Sequence, residues 1–356
     1  MIRRGSRSRT WRRLAGAALC LTPLSAWAEE PPVPPTEATG EISKPVLTPA
    51  IIDDALSIGG TEIEGRKVQS RMTVPVSING EGPFRFVVDS GADTSVVGNT
   101  IAERLQLEPG KRALLTSVTE TTVVERVYVD ELGLGPTRVR DLELPVLDEG
   151  HLGAQGMLGL DALVEQRLML DFEKRIITLD DARKAPKMGP GVIVVTARLR
   201  KGQLILTNAR ADGHSLDVVI DTGSEVSIGN LALRDKLMRR EPEQFQKIAV
   251  TGVTGAIAQF DLAVVKNLTI GGVKLQNVVM AFADAPPFDI FDLKAKPAML
   301  LGTDVMEAFR RVSLDFGDRR VRFQLRRCAT RSFAMRTSNS RYSSKVSSDA
   351  PTNCNR

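Results

Sequence analysis

The stretch Phe86-Val87-Val88-Asp89-Ser90-Gly91-Ala92 recurs 132 residues later as Val218-Val219-Ile220-Asp221-Thr222-Gly223-Ser224. In both copies an apolar run ends in an aspartate, which is followed by a hydroxyl residue, a glycine and a small residue. A short apolar run of this kind indicates a buried strand, which would carry the aspartate into the interior at its end. One such motif alone is common turn chemistry. Two matched copies indicate a duplicated structural unit.

Further matched segments follow these motifs in the same order in both halves of the chain. The offset between partners grows slowly, as loop insertions would make it, and most of the insertion falls within residues 283–296. The matched pairs are Leu132-Gly133-Leu134-Gly135 with Leu268-Thr269-Ile270-Gly271, Met157-Leu158-Gly159-Leu160-Asp161 with Leu300-Leu301-Gly302-Thr303-Asp304, and Leu170-Asp171-Phe172 with Leu314-Asp315-Phe316.

The apolar pattern between the motifs favours short strands in both halves. Asn99 and Asn230 precede short helical segments and are expected to cap them. Many short strands at close spacing predict an all-β fold with short helices, arranged as two barrel-like lobes. Strands are predicted over residues 72–78, 84–88, 123–129, 176–179, 204–209 and 216–220, and helices over 100–107 and 231–238.

Both ends of the chain differ in composition from its body. Residues 1–28 combine a basic start, a short apolar run and an Ala26-Trp27-Ala28 ending, which predicts a cleaved secretory signal and a periplasmic or secreted protein. A membrane anchor is the alternative, although the run is shorter than the about 20 residues that a span needs. We expect a Pro-rich linker over 29–60, lobes over 61–182 and 183–326, and a disordered basic tail over 327–356.

Charge and cysteine content exclude several classes of function. Residues 29–325 carry a net charge of −7, so a nucleic acid partner is not expected. Cys328 and Cys354 are the two cysteines beyond the predicted signal, and they either pair in an oxidising compartment or remain free thiols. His151 and His214 are the only histidines and are expected at the surface. No zinc site, other metal site or cofactor is predicted.

The duplicated motifs resemble the retropepsin-like aspartic peptidase family, in particular its bacterial single-chain members with two lobes. The resemblance covers residues 65–325 and implies that Asp89 and Asp221 form a catalytic pair between the lobes. It implies that one chain suffices as a monomer and that the substrate is a protein or peptide. It further implies that the active-site loops are supported by Ser90, Gly91, Ala92, Thr222, Gly223, Ser224, Gly159 and Gly302.

The family mechanism predicts that the two carboxyl groups share one proton and activate a water molecule for attack on a peptide bond. Ser224 has a hydroxyl that is expected to donate to Asp221 and favour its ionised form, whereas Ala92 offers none to Asp89. The absence of a hydroxyl at Ala92 also predicts a pH optimum less acidic than in relatives with hydroxyls on both sides. The difference between Ser224 and Ala92 therefore predicts that Asp221 is more often the ionised partner in the free enzyme.

A flap over the cleft is also implied by the resemblance. In the second half, Gly252, Thr254 and Gly255 lie between strand candidates and are expected at its tip. In the first half, residues 117–121 correspond to it and contain no glycine. A plain hairpin tip remains the alternative for each segment.

Other repeated or acidic residues receive structural interpretations. Asp161 and Asp304 follow a glycine and are expected to cap helices, whereas Asp171 and Asp315 are expected at strand or turn positions. The chain is therefore interpreted as an aspartic endopeptidase. A catalytically inactive peptide-binding module on the same fold is the alternative, and a purely structural envelope protein is a third reading that the duplicated motif disfavours.

Overall fold

A computed structural model describes residues 61–64, 66–68, 71–163, 166–181, 191–237, 245–326, 332–337 and 340–348. The predicted secretory signal, the predicted linker over 29–60, the predicted lobe boundary at 182–183, and Cys328 and Cys354 lie outside these ranges. Within them, no helix is long and apolar enough to cross a membrane.

The first half folds mainly into strands, seven of which form one sheet in the order β2-β3-β4-β10-β5-β9-β8. Its elements are β1 Thr61–Glu64, β2 Arg66–Val68, β3 Arg71–Ile78, β4 Glu81–Val88, β5 Val96–Gly98, α1 Asn99–Arg104, β6 Ala113–Thr116, β7 Thr121–Val124, β8 Arg126–Leu134, β9 Thr137–Leu147, α2 Glu149–Leu152, β10 Gly156–Leu158, α3 Leu160–Leu163, β11 Gln166–Asp171 and β12 Ile176–Asp181.

The second half repeats this organisation, and its strands run in the order β13-β14-β15-β20-β16-β19-β18-β17. The predicted all-β class with short helices and two tandem lobes is therefore confirmed. The elements of this half are β13 Val192–Arg200, β14 Gln203–Ala211, β15 His214–Ile220, β16 Ile228–Gly229, α4 Leu231–Leu237, β17 Gln246–Thr251, β18 Ile257–Ile270, β19 Val273–Phe282, α5 Pro287–Ile290, β20 Ala298–Leu301, α6 Thr303–Met306, β21 Phe309–Asp315 and β22 Arg320–Leu325.

The two motif strands, β4 and β15, have equivalent neighbours. β4 lies between antiparallel β3 and parallel β10, and β15 lies between antiparallel β14 and parallel β20. The registers also correspond, because Thr73 pairs with Val87 in the first half and Ile205 pairs with Val219 in the second. The 132-residue repeat of the sequence is therefore a repeat of the fold. The last three residues of each strand are all buried, so both faces of the strand end are covered and a continuous apolar run suits it.

The lobes are joined by a shared sheet in the order β1-β12-β11-β21-β22-β13, in which strands of the first half pair with strands of the second. Across the junction, β11 and β21 are antiparallel, with Arg167 opposite Asp315 and Asp171 opposite Arg311. Asp171 and Asp315 end these two strands, as predicted. The main apolar core is continuous through this junction, since it includes residues of both lobes and of the shared sheet.

The sequence-based element bounds differ from the structure in several places. The strand predicted over 123–129 is two strands, β7 and β8, which belong to different sheets and are separated at Glu125. Asn230 caps α4 as predicted, because its Oδ1 accepts from the amide of Leu233 at 2.8 Å. Asn99 does not cap α1. It lies inside that helix, whose N-cap is Gly98.

The tail predicted to be disordered contains two strands. These are β23 Ser332–Thr337 and β24 Ser340–Ser348, which pair with each other, and β24 also pairs with β19. The prediction relied on the lack of an apolar period in the tail. Strand addition at a sheet edge uses backbone hydrogen bonds and does not need that period.

Candidate active site

Asp89 and Asp221 meet at the interface of the lobes. Each directly follows the end of its motif strand, and each carboxyl group lies against the loop of the other lobe, close enough to influence the protonation of its partner. The backbone amide of Asp89 donates to the carbonyl of Leu158 at 2.9 Å, and that of Asp221 donates to the carbonyl of Leu301 at 3.1 Å. The parallel neighbours β10 and β20 therefore hold the two aspartates in equivalent positions.

Each carboxylate is also held by its own loop. Oδ1 of Asp89 accepts from the amides of Gly91 at 2.7 Å and Ala92 at 3.1 Å. Oδ1 of Asp221 accepts from the amides of Gly223 at 3.0 Å and Ser224 at 2.9 Å. In both cases the second carboxylate oxygen is left for the partner aspartate or a substrate. Fixed amide donors stabilise charge on these oxygens without reorganisation.

The hydroxyl residues after the aspartates join the two loops reciprocally. Thr222 Oγ1 donates to the carbonyl of Val88 at 2.8 Å and accepts from the amide of Ser90 at 2.9 Å. In the other direction, Ser90 Oγ donates to the carbonyl of Ile220 at 3.0 Å and accepts from the amide of Thr222 at 3.2 Å. Both side chains are buried. These four bonds fix the spacing of the loops that carry Asp89 and Asp221.

Gly91 and Gly223 are required for space, which the sequence argument did not foresee. Neither glycine has a positive φ. A Cβ on Gly91 would lie 2.8 Å from Cγ of Asp221, and a Cβ on Gly223 would lie 2.1 Å from Cγ of Asp89. Any side chain at either position would therefore collide with the carboxyl group of the opposite lobe.

Burial raises the pKa of both carboxyl groups. For Asp221, the negative charge of Asp89 raises the pKa further, while the amides of Ser224 and Gly223 lower it only in part. For Asp89, the amide of Gly91 and the positive charge of Arg71 oppose the effect of burial. Two carboxyl groups in contact hold one proton more readily than none, so the pair titrates jointly.

The expected donation from the Ser224 hydroxyl to Asp221 was wrong. Ser224 Oγ donates instead to the carbonyl of Val226 at 2.7 Å, and only the Ser224 amide reaches Asp221. The nearby backbone carbonyl competes for a hydroxyl that the sequence alone assigns to the carboxylate. The physical argument for an ionised Asp221 is thereby removed.

Gly159 and Gly302 lie directly behind the aspartate loops. A Cβ on Gly159 would lie 2.5 Å from the carbonyl carbon of Thr94, and one on Gly302 would lie 2.8 Å from that of Val226. The residue after each glycine supports its loop through its amide. Leu160 donates to the carbonyl of Ala92, and Thr303 to that of Ser224, both at 2.9 Å.

A repeated serine–aspartate pair completes this support. Ser95 Oγ donates to Asp161 at 2.6 Å and Ser227 Oγ donates to Asp304 at 2.7 Å. The predicted helix-capping role of Asp161 and Asp304 was therefore wrong, because their carboxylates hold the loops on which Asp89 and Asp221 lie. Burial raises the pKa of both, and that of Asp304 to about 6. The recurrence of serine six residues after each motif aspartate was the signal that the sequence argument overlooked.

Two hairpins, one from each lobe, meet at their turns. β6 and β7 form one with its turn at residues 117–120, and β17 and β18 form the other with its turn at 252–256. Gly252 lies against Thr119 of the opposite hairpin, since a Cβ there would come within 2.1 Å of Thr119 Oγ1. Gly255 has a φ of +85° and lies against the ring of His151, whose side chain is 44% exposed.

The hairpin turns also exchange apolar contacts between the lobes. Val118 packs against the apolar cluster of the second lobe that includes Val219 and Phe288, and Val253 packs against a cluster of the first lobe that includes Val87. Thr254 Oγ1 is buried and has no hydrogen-bond partner among the described residues. The turn of each hairpin therefore packs on the opposite lobe.

A family model described as Aspartyl protease matches this chain twice, at residues 74–162 and 207–305. Together the two matches make up more than half of the chain, and each contains one of the paired aspartates. No curated protein matches the chain.

Proposed function

This chain belongs to the aspartyl protease family, and we propose that it is an aspartic endopeptidase in which Asp89 and Asp221 together activate a water molecule. The observation that supports this most strongly is the contact between the two carboxyl groups, each held by two backbone amides. Gly91 and Gly223 also support the proposal, because each leaves room for the carboxyl group of the opposite lobe.

The proposed reaction needs one ionised and one protonated carboxyl group. The ionised group takes a proton from water as the water oxygen forms a bond to the peptide carbonyl carbon, and the protonated group donates its proton to the carbonyl oxygen. Collapse of the tetrahedral species breaks the carbon–nitrogen bond, and a proton passes to the departing amine. The fixed loop amides keep the carboxylates in place without reorganisation during these steps.

We propose a protein or peptide as the substrate, bound in extended form between the aspartate loops and the two hairpins. The hairpins act as flaps in this proposal, and Gly252, Thr254 and Gly255 form the part of the second flap nearest the substrate. The unpartnered hydroxyl of Thr254 supports this assignment, because a buried polar atom without a partner is costly unless a ligand provides one. Both aspartates come from one chain, so we propose that the monomer is active.

Cleavage of a denatured protein or a peptide library by the purified protein tests the proposal. We expect cleavage that pepstatin-type inhibitors block and that Asp89→Asn and Asp221→Asn each abolish. Asp130→Asn is the control, because it removes an exposed aspartate from β8 in the same lobe as Asp89. A folded protein that binds peptides without cutting them would instead support the inactive peptide-binding module.

We also propose that the protein works in the periplasm or outside the cell. The composition of residues 1–28 supports this proposal. Sequencing the N-terminus of the protein purified from an exporting host tests it, and we expect a new N-terminus at Glu29. An intact Met1 on the mature protein would contradict it.

A further inference from the structure

The first residues of β3 and β14 make equivalent contacts across the lobe interface, but with different chemistry. Arg71 starts β3, and Gln203 occupies the same place in β14, 132 residues later. Arg71 Nε lies 3.0 Å from Oε1 of Glu225 in the second lobe. Gln203 Nε2 donates to Oδ1 of Asp93 in the first lobe at 3.2 Å. Each contact thus joins one lobe to the aspartate loop of the other.

The strand registers place these two residues beside the paired aspartates. Thr73 lies opposite Val87, so continuing the antiparallel register by two residues brings Arg71 opposite Asp89. The same extension from the pair Ile205 and Val219 brings Gln203 opposite Asp221. The duplicated fold therefore puts a cation beside one aspartate and a neutral amide beside the other.

Arg71 is suited to act on Asp89 because it is shielded from water. Its exposed fraction is 7%, so solvent screens its charge weakly. The charged groups around Asp89 are Asp221, which follows β15, Arg71 from β3, Glu225 from the facing loop, and Asp93 on its own loop. Glu225 offsets part of the Arg71 charge, whereas Asp93 is exposed and better screened.

We propose that Arg71 is a positioning residue that makes Asp89 the ionised member of the pair and leaves the shared proton on Asp221. This inference rests on the proposed function. Asp89 then accepts the proton of the attacking water as the water oxygen bonds to the carbonyl carbon, and Asp221 donates its proton to the carbonyl oxygen. This assignment reverses the sequence-based expectation that Asp221 is the ionised partner. It agrees with the lowering effect of Arg71 on the pKa of Asp89.

The test compares Arg71→Gln, which copies the residue of the second lobe, with Glu225→Gln. Both variants break the same ion pair, but the first removes a cation from the neighbourhood of Asp89 and the second removes an anion. We expect the acidic limb of the profile of kcat/KM against pH to move upward by about half a pH unit or more in Arg71→Gln and downward in Glu225→Gln. Arg71→Lys, which keeps the charge, is expected to retain the wild-type limb.

Opposite shifts of the acidic limb in Arg71→Gln and Glu225→Gln would support the inference. If the ion pair were only a structural contact, both variants would lose activity or stability, and their acidic limbs would stay at the same pH. Shifts in the same direction, or no shift in either variant, would overturn it. Carboxyl-carbon NMR titration of 13C-labelled aspartate, assigned with Asp89→Asn and Asp221→Asn, gives a readout that needs no activity. A protein that cuts no peptide but shows the Arg71-dependent titration would contradict the proposed function and still support the assignment of Asp89 as the ionised carboxyl group.

Discussion

The Thr222 hydroxyl accepts a hydrogen bond from the backbone amide of Ser90 at 2.9 Å, and Ser90 Oγ accepts one from the amide of Thr222 at 3.2 Å. These reciprocal bonds link two residues 132 positions apart across the lobe interface. Both side chains are about as buried as the apolar core, with 1% of each exposed. Two aspartates that must share one proton need a spacing that does not drift, and this reciprocal contact supplies it.

Replacing Thr222 with valine should destabilise the protein. The change keeps the shape of the side chain but leaves the amide of Ser90 without its acceptor and the carbonyl of Val88 without its donor. We expect a loss of about 1–3 kcal/mol in the free energy of unfolding, measured by urea denaturation, because buried groups lose their partners. Thr222→Ser keeps the hydroxyl and is the control. Equal stability of the two variants would show that these hydrogen bonds contribute nothing.

The ion pair between Asp171 and Arg311 should matter more than any exposed pair. Arg311 Nε lies 2.5 Å from Asp171 Oδ2 at the junction of the lobes, and both side chains are nearly inaccessible to water. Asp171→Asn should cost about 3–5 kcal/mol, because it leaves a buried cation without its partner. The double variant Asp171→Asn/Arg311→Met should lose less unfolding free energy than the sum of the losses in the two single variants. A double-mutant cycle measured by urea denaturation checks this.

An exposed ion pair provides the comparison. Arg112 and Glu125 pair at 2.6 Å with 72% and 62% of their side chains exposed. Solvent screens such a pair, so we expect Arg112→Met to leave the denaturation midpoint unchanged. A loss as large as that in Asp171→Asn would mean that burial does not govern the strength of these pairs.

Contact between the two hairpins should be sensitive to a single methyl group. In Gly252→Ala the new Cβ would come within 2.1 Å of Thr119 Oγ1. Overpacking of this kind costs about 1–3 kcal/mol, so we expect about a tenfold loss in kcat/KM. Thr119→Ala removes the colliding oxygen and should restore most of the activity in the double variant. Failure of that rescue would place the effect of Gly252 elsewhere.

Asp304 should make the protein less stable as the pH rises from about 4 to about 6. Burial raises its pKa from 3.8 to about 6 in the folded state, so between these values the folded protein binds more protons than the unfolded chain. Stability from this group is therefore full below pH 4 and lost as the pH rises through 6. Asp304→Asn cannot ionise and should lack this contribution.

The measurement is the difference in unfolding free energy between the wild type and Asp304→Asn across this pH range. Other carboxylates act in the opposite direction. Burial works to raise the pKa of Asp315, but the amide of Asp318 and the hydrogen bonds from Arg167 and Arg322 outweigh it and lower the pKa. Taking the difference removes their contribution. If the difference in unfolding free energy between the wild type and Asp304→Asn stays constant from pH 4 to 7, the pKa of Asp304 is not raised.

The sequence by itself determined the all-β class, the two lobes and the pair of aspartates. Apolar runs such as Phe86-Val87-Val88 indicate buried strands through their local composition, and a motif repeated in order indicates a repeated fold. These features depend on neighbouring residues or on internal similarity. They could be derived without knowing which parts of the chain touch.

Only the tertiary structure decided which partner each polar group has. The Ser224 hydroxyl donates to Val226 instead of Asp221, Asp161 accepts from Ser95 instead of capping a helix, and Arg71 pairs with Glu225 of the opposite lobe. Hydrogen bonds and ion pairs depend on distances of a few tenths of an ångström between atoms that the chain brings together from far apart. A pattern of residue types contains no such distances, so several partners with suitable chemistry remain open until the folded backbone selects one.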